Sequence, residues 1–422
     1  MTIIRKIKVK NFKSFKDLEV GLGKFNVLIG PNSSGKSNFI QIFKFLRDIR
    51  NYGLDNAISI QGGVDYLTNI NIGPYESLSI EIEVIPDRPF KSWPVIIKEK
   101  SLMVETYEIA YRFTLRFSKK RKEFEIVEDK LIHRGNLVQV ERSKNGKIKE
   151  EKKFGKGEII FSVANGKIKA EITGGLEIKK DDISLPHFEN INLGPKTLLI
   201  EFPPILIINP PISDLFNRGI AIYDFDPKLP KKATPITGKT ELEEDGSNLA
   251  IVLKNILGDK EKKRELSNLV KDLLPFVDNL SVEKFADKSL LFKLKESYNK
   301  KQYLPASLIS DGTINITALI IALFFEKKPL TIIEEPERNI HPYLISKVVE
   351  MMKDASNNIQ ILVSTHNPEI VKLADLENLL LISRDKEGFS IISRPSGKEN
   401  VKTFLKNEIG IEELYIQNLL EL

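Results

Sequence analysis

The run Gly30-Pro31-Asn32-Ser33-Ser34-Gly35-Lys36-Ser37 limits what this chain can fold into more than any other stretch. It satisfies G-x-x-x-x-G-K-[ST] at every fixed position. Phe25, Val27, Leu28 and Ile29 before it predict a short buried strand. Phe39, Ile42, Phe43 and Leu46 after it recur at helical spacing, so a helix is expected to open at the lysine. Strand, small-residue loop and helix together let successive backbone N–H groups turn inward as a nest for phosphate oxygens, with the positive end of the helix dipole behind them. On that reading Lys36 reaches the β- and γ-phosphates of ATP and Ser37 sits on Mg²⁺. Asn32, Ser33, Ser34, Gly35 and Asn38 are the further candidate ATP contacts.

The acidic partners of such a loop come late. Leu330, Ile332 and Ile333 predict a strand ending in Glu334-Glu335-Pro336-Glu337. Ile359 to Ser364 predicts a second, ending in Thr365-His366-Asn367-Pro368, with a helix over 342–355 between them. That is a β-α-β unit, so the sheet should be parallel, with nucleotide chemistry at the carboxyl ends of its strands. Glu334 is the candidate metal ligand and Glu335 the candidate for polarising the attacking water, while His366 is placed to contact the γ-phosphate. Read alone, the acidic pair would equally suit a helix cap with Pro336 in its first turn; the phosphate loop is what favours a site. His341, in RNIHP, stays open between the two. Ser310-Asp311-Gly312-Thr313 precedes the apolar helix ITALIIALFF. It reads either as an ordinary N-cap or as a second anion surface, which would serve the nucleotide of another subunit.

Between these ends the pattern changes. SIEIEV, YEIAYRFTLRF and EFEIVEDKLIH alternate at period two, and Asn145-Gly146 and Asn165-Gly166 are hairpin turns. The expected class is therefore α/β: a P-loop NTPase core with an inserted antiparallel β subdomain and a small helical subdomain. The split core would cover 1–76 and 300–422, the β-rich insertion 77–240, and the helical lobe 241–299, where GSNLAIVLKNIL and KKRELSNLVKDLL form two helices broken at Gly258-Asp259.

Composition excludes other chemistries. The 422 residues contain no Cys and only four His, which removes disulfides, thiolate zinc sites and cysteine nucleophiles. No apolar run approaches the ~20 residues that span a bilayer, and the N-terminus enters an alternating strand without a leader pattern. A cytoplasmic location without membrane partners is expected. Net charge is +6, a mild excess. Lys119, Lys120, Arg121 and Lys122 crown one predicted hairpin, and Lys144, Lys147, Lys149, Lys152 and Lys153 crowd another region. They read as solvated turns or as contacts to DNA phosphates.

The whole set resembles the ABC-type ATPases of the SMC/RecF/OLD group, most of all their stand-alone AAA-labelled relatives. The residues that carry the likeness are the early P-loop, SDGT at 310–313, EEPE followed by HP, and THNP at 365–368. Asn11-Phe12-Lys13-Ser14-Phe15, Ile222 to Pro227 and Asp245 to Leu249 are also similar to segments of that group. The resemblance implies that the P-loop NTPase core is an ABC-type head and that Lys13 and Ser14 approach the nucleotide. It also implies a homodimer that closes head-to-tail on two ATP molecules, with Ser310, Asp311, Gly312 and Thr313 acting in trans. Relatives often carry Arg shortly after SDGT, where this chain has Ile314-Asn315. Gln61 is the candidate for the glutamine loop. SMC proteins proper would need long heptad arms and OLD nucleases a Toprim domain, and neither pattern is present; a transporter subunit would lack the long β insertion and would couple to membrane domains. A switch acting on DNA or on a protein partner, in DNA repair or antiviral defence, is the expected role; control of a separate toxin or nuclease effector is the alternative.

Overall fold

Apolar alternation in the first half and apolar runs in the last third produce two kinds of sheet. The computed structural model describes the chain outside residues 93, 98–99, 119–122, 143–147, 175–182, 186–187, 189, 208, 286–287, 300, 407–409 and 422. From the N-terminus, β1 (Ile3–Phe12) and β2 (Phe15–Gly21) form a hairpin, β3 (Phe25–Ile29) runs into the phosphate loop and α1 (Lys36–Tyr52) leaves it. Next come β4 (Leu78–Ile85), β5 (Lys100–Phe117), β6 (Phe124–Arg142), β7 (Ile148–Ala164) and β8 (Lys167–Thr173). After β9 (Ile220–Tyr223), helices α2 (Leu249–Leu257) and α3 (Lys260–Leu273) lead to the hairpin of β10 (Val277–Phe285) and β11 (Ser289–Glu296). The last third alternates through α4 (Asp311–Phe324), β12 (Leu330–Glu334), α5 (Pro342–Ala355), β13 (Gln360–Thr365), α6 (Pro368–Leu373), β14 (Leu379–Arg384) and β15 (Ser390–Ser393).

The chain packs into two units. One comprises 1–23, 33–220 and 383–392, the other 24–32, 221–382 and 393–422. These differ from the boundaries expected from sequence. The reason lies in β1, which pairs with β2 on one edge and β4 on the other: Ile7 stands opposite both Val20 and Ile82. The N-terminal hairpin thereby becomes part of the antiparallel sheet ordered β8-β7-β6-β5-β4-β1-β2. A period-two pattern shows which face of a strand is buried but not which edges it shares. Ile7 and Val9 face the core, while Lys6 and Lys8 lie across from Glu19 and Glu81 at 2.8 and 2.9 Å. Helix α1 presents buried Phe39, Ile42, Phe43, Leu46 and Ile49. The Phe45 ring lies 5.9 Å from Phe12 and 6.5 Å from Phe113, contacts that each add about 0.5–1.5 kcal/mol beyond simple burial. Asn165 and Gly166 take φ of 52° and 75° and join β7 to β8, as the dipeptide predicts. Asn145-Gly146, Lys119 to Lys122, Lys144, Lys147 and the Lys149 side chain lie outside the described residues; Lys152 and Lys153 are exposed.

In the second unit the strand order is β9-β12-β13-β3-β14. Strand β13 runs parallel to both β12 and β3, and β14 runs parallel to β3. The β-α-β unit predicted from 330–364 is present, with α5 over Pro342–Ala355. Its strands are near-continuous apolar runs because both faces are covered. Helix α4 is buried from Thr313 through Leu323, the behaviour of a helix that is hydrophobic all round. The break at Gly258-Asp259 falls where expected, and the Asp259 carboxylate caps α3 by accepting from the N–H groups of Glu261 and Lys262 at 2.9 and 3.0 Å. The region expected as a helical lobe holds α2 and α3, and the β10–β11 hairpin falls where the sequence predicts short strands near 279–297.

Candidate functional site

In the first unit, the phosphate loop turns into α1 through two left-handed residues, Ser33 at φ 61° and Gly35 at φ 117°. Helix α1 begins at Lys36 with no side-chain cap and no acidic residue in its first turn. Soluble helices usually satisfy their leading N–H groups with a Ser, Thr, Asp or Asn side chain; a helix start without one suits an anion. The Ser34 hydroxyl is buried and lacks a hydrogen-bond partner among the described residues, a further polar atom that a ligand oxygen would satisfy. Ser37 and Asn38 follow Lys36 in the first helical turn. The buried Ser14 hydroxyl lies 2.8 Å from Ser390 Oγ. Lys13, at the turn between β1 and β2, donates to the Tyr66 carbonyl at 3.3 Å, and burial lowers its pKa. The Gln61 amide donates to Gln41 Oε1 at 3.1 Å.

In the second unit, the carboxyl ends of β3, β12 and β13 converge. Thr365 stands opposite Ile29, and Ser364 opposite Glu334. Gly30, Pro31 and Asn32 therefore leave the sheet beside the acidic turn. Glu335 takes φ 46°, a left-handed conformation that costs a non-glycine residue about 1–3 kcal/mol and persists only where its surroundings hold it. Its N–H donates to the Ser364 carbonyl at 2.8 Å. Its carboxylate lies 3.0 Å from Arg338 Nη2 and 3.8 Å from His366 Nε2. Arg338 also donates to Asp224 Oδ1 at 2.8 Å and to the Phe225 carbonyl. Burial opposes the Arg338 charge, but its hydrogen bonds to Glu335 and Asp224 raise its pKa. Glu337 accepts from the Thr365 hydroxyl at 2.5 Å, while its Oε2 is buried without a partner among the described residues and burial raises its pKa.

The acidic motif and His366 thus form one cluster, as the sequence predicts. Neither Arg338 nor Glu337 received a role from sequence. Both adjoin the motif, and the signal that would have found them is their place in the tight turn between β12 and α5.

Magnesium fits this donor set. No group of three or more His, Cys, Asp or Glu side chains capable of holding a metal occurs among the described residues. Mg²⁺ is commonly held by one or two protein oxygens with phosphates and water, rather than by an all-protein cage. Glu334, at the end of β12, could serve as one such oxygen.

Ser310 caps α4: its hydroxyl accepts from the Thr313 N–H at 3.2 Å and lies 2.7 Å from Thr313 Oγ1. Asp311 pairs with Lys231 at 2.5 Å. A Cβ on Gly312 would stand 2.5 Å from the Asn339 carbonyl oxygen, so only glycine fits. Ser310 to Thr313, Asn339 and His341 line a cavity of about 500 Å³. His341 itself caps α5, accepting from the Tyr343 N–H at 3.3 Å. One turn into α4, buried Asn315 donates to the Pro336 and Arg338 carbonyls at 3.3 and 2.7 Å. This helix is thereby fastened to the turn that carries Glu335.

The profile of the family described as "AAA domain, putative AbiEii toxin, Type IV TA system" matches residues 25–372. The chain belongs to this family. It is similar to an "ATP/GTP phosphatase" of Helicobacter pylori, 20% identical over 428 residues that cover 96% of this chain and 99% of the relative. A stretch of 47 residues, 11% of this chain, is 47% identical to part of the chromosome partition protein Smc of Methanocaldococcus jannaschii and covers 4% of that protein. Among solved structures, the chain is similar to an Smc head domain with an extended coiled coil, bound to the C-terminal domain of ScpA, derived from Pyrococcus furiosus. The TM-score is 0.49 at 15% identity, over 97% of this chain and all of the other. A second Smc head, bound to the C-winged helix domain of ScpA, matches with a TM-score of 0.48 at 16% identity over 92% and 97%.

Proposed function

We propose that this chain is a soluble, cytoplasmic ATPase whose ATP cycle switches a surface used on DNA or on a protein partner. Lys36, Ser37 and the amides of 33–37 hold the phosphates and Mg²⁺. Glu335 orients the attacking water and takes up its proton, and His366 faces the reacting phosphoryl group. Phosphoryl transfer demands mainly positioning and charge stabilisation, so these few groups suffice. The observation that carries the reading is Glu335 itself. It is a carboxylate held in a left-handed conformation at a strand end, fixed by Ser364, facing Arg338 and His366, and one strand away from the start of the phosphate loop.

Ser310 and Gly312, at the mouth of their cavity, would close on the nucleotide of a second copy, giving a head-to-tail homodimer. Among the described residues, no helix is long and apolar enough to cross a membrane. Glu335→Gln keeps the binding contacts and removes the base, so saturating Mg-ATP should accumulate a closed dimer. Light scattering tests this, and a monomer under those conditions would refute the dimer. The family description, which names a putative toxin of a type IV toxin–antitoxin system, favours a second reading in which ATP closure controls a toxin or nuclease effector. A nuclease that co-purifies with the chain would favour it, whereas ATPase stimulation by DNA ends would favour the first.

A further inference from the structure

The turn between β14 and β15 makes three hydrogen bonds to two carbonyls of the phosphate loop. Arg384 donates to the Ser33 carbonyl through Nε and Nη2 at 3.1 and 3.0 Å, and its Nη1 donates to the Gly388 carbonyl at 2.7 Å. Ser390 Oγ donates to the Ser34 carbonyl at 2.5 Å. That bond uses the only Ser390 hydroxyl proton, so Ser14 is the donor in the 2.8 Å contact between their hydroxyls. The Ser390 N–H donates to the Ser14 carbonyl at 2.8 Å. Lys16 anchors the turn from outside, 3.2 Å from Glu387 and 5.0 Å from the centre of the Phe389 ring. Gly35 completes the fit, because a Cβ there would overlap Ser390 Oγ and Ser14 Oγ.

We infer that this turn is a clamp that sets the phosphate loop in its anion-binding form, with Arg384 and Ser390 as positioning residues for nucleotide. The inference rests on the phosphate-loop reading above. A trans peptide is planar, and its C=O and N–H point in opposite directions. Fixing the Ser33 carbonyl on Arg384 turns the Ser34 N–H the other way. Fixing the Ser34 carbonyl on Ser390 does the same for the Gly35 N–H. These are successive donors of the nest that receives phosphate oxygens. Ser33 also sits at φ 61°, a strained conformation for serine, and the two bonds from Arg384 fall on its carbonyl. Arg384 is exposed and outside the core, so its removal leaves the fold intact. Neither residue touches the reacting atoms, so both act on binding alone.

Calorimetry with Mg-ATP and Mg-ADP, and steady-state hydrolysis, test the clamp on the intact chain. Arg384→Ala and Ser390→Ala should each weaken both nucleotides about tenfold, the scale of one charge-assisted or buried hydrogen bond. The KM should rise by the same factor while kcat stays within about twofold, because the binding removed is common to ground and transition states. Arg384→Lys should recover part of the affinity, since an ammonium reaches one carbonyl but lacks the fork. Wild-type affinity in both alanine variants, or a fall in kcat at unchanged KM, would overturn the clamp. A wild-type chain that binds neither nucleotide would overturn the phosphate-loop reading itself, and the clamp with it.

Discussion

Replacing Asp129 by Asn should reshape how the stability of the first unit depends on pH. Asp129 is 3% exposed and accepts from the Tyr111 hydroxyl at 2.9 Å and the Leu199 N–H at 2.7 Å. Burial outweighs these bonds and pushes its carboxyl from 3.8 up to about 7. The native state therefore holds a proton that the unfolded chain has released, and stability falls as pH rises from about 4 to about 7. At 1.36 kcal/mol per unit this amounts to about 4 kcal/mol. His133, fully buried with Nδ1 3.3 Å from Thr106 Oγ1, has the opposite effect. Burial lowers its pKa from 6.5 to about 4. Stability from this group is complete above 6.5 and is lost as pH falls towards 4, by about 3 kcal/mol. In the wild type the two slopes nearly cancel. Asp129→Asn keeps the volume but removes one slope, so stability should then rise by about 3 kcal/mol between pH 4 and 6.5. Denaturant titrations at several pH values, read by pulsed hydrogen exchange on peptides of β6 and β7, isolate this unit. Parallel pH profiles for the variant and the wild type would refute the assignment of opposed buried groups.

Gly312→Ala should destabilise the second unit by about 1–3 kcal/mol, because the new methyl meets the Asn339 backbone rather than a side chain that can swing away; thermal unfolding measures it, and an unchanged midpoint would contradict the packing described. Reversing the charge of Lys119, Lys120, Arg121 and Lys122 should weaken binding to every duplex alike and flatten the salt dependence, by about 0.9 in slope for each phosphate no longer engaged, while basal ATP hydrolysis stays nearly intact. A wild-type chain that ignores DNA at low salt, with and without ATP, would end the DNA reading in favour of a protein partner.

Much of the site was legible because its parts are local. A P-loop is contiguous, and the β-α-β unit from 330 to 364 states its strands, its helix and its acidic end within one short span. The Asn165-Gly166 turn and the Asp259 cap are local for the same reason. What was not legible depends on pairing over long range. Nothing in β1 announces that its second edge takes β4 and so joins the hairpin to the long sheet. Arg384 and Ser390 lie more than three hundred positions from the loop they hold, in a turn whose sequence looks ordinary. Asn315, conspicuous only as a departure from relatives, turns out to fasten α4 to the Glu335 turn.

Phosphate release from Mg-ATP, measured beside nucleotide affinity for the wild type, Lys36→Ala and Glu335→Gln, tests the ATPase assignment most directly. Wild type should bind and hydrolyse. Lys36→Ala should lose binding while remaining folded, because its side chain serves the phosphates. Glu335→Gln should bind like the wild type but release phosphate about a hundredfold or more slowly, the scale of a missing general base. Undiminished turnover in Glu335→Gln, or tight ATP binding by Lys36→Ala, would contradict the assignment.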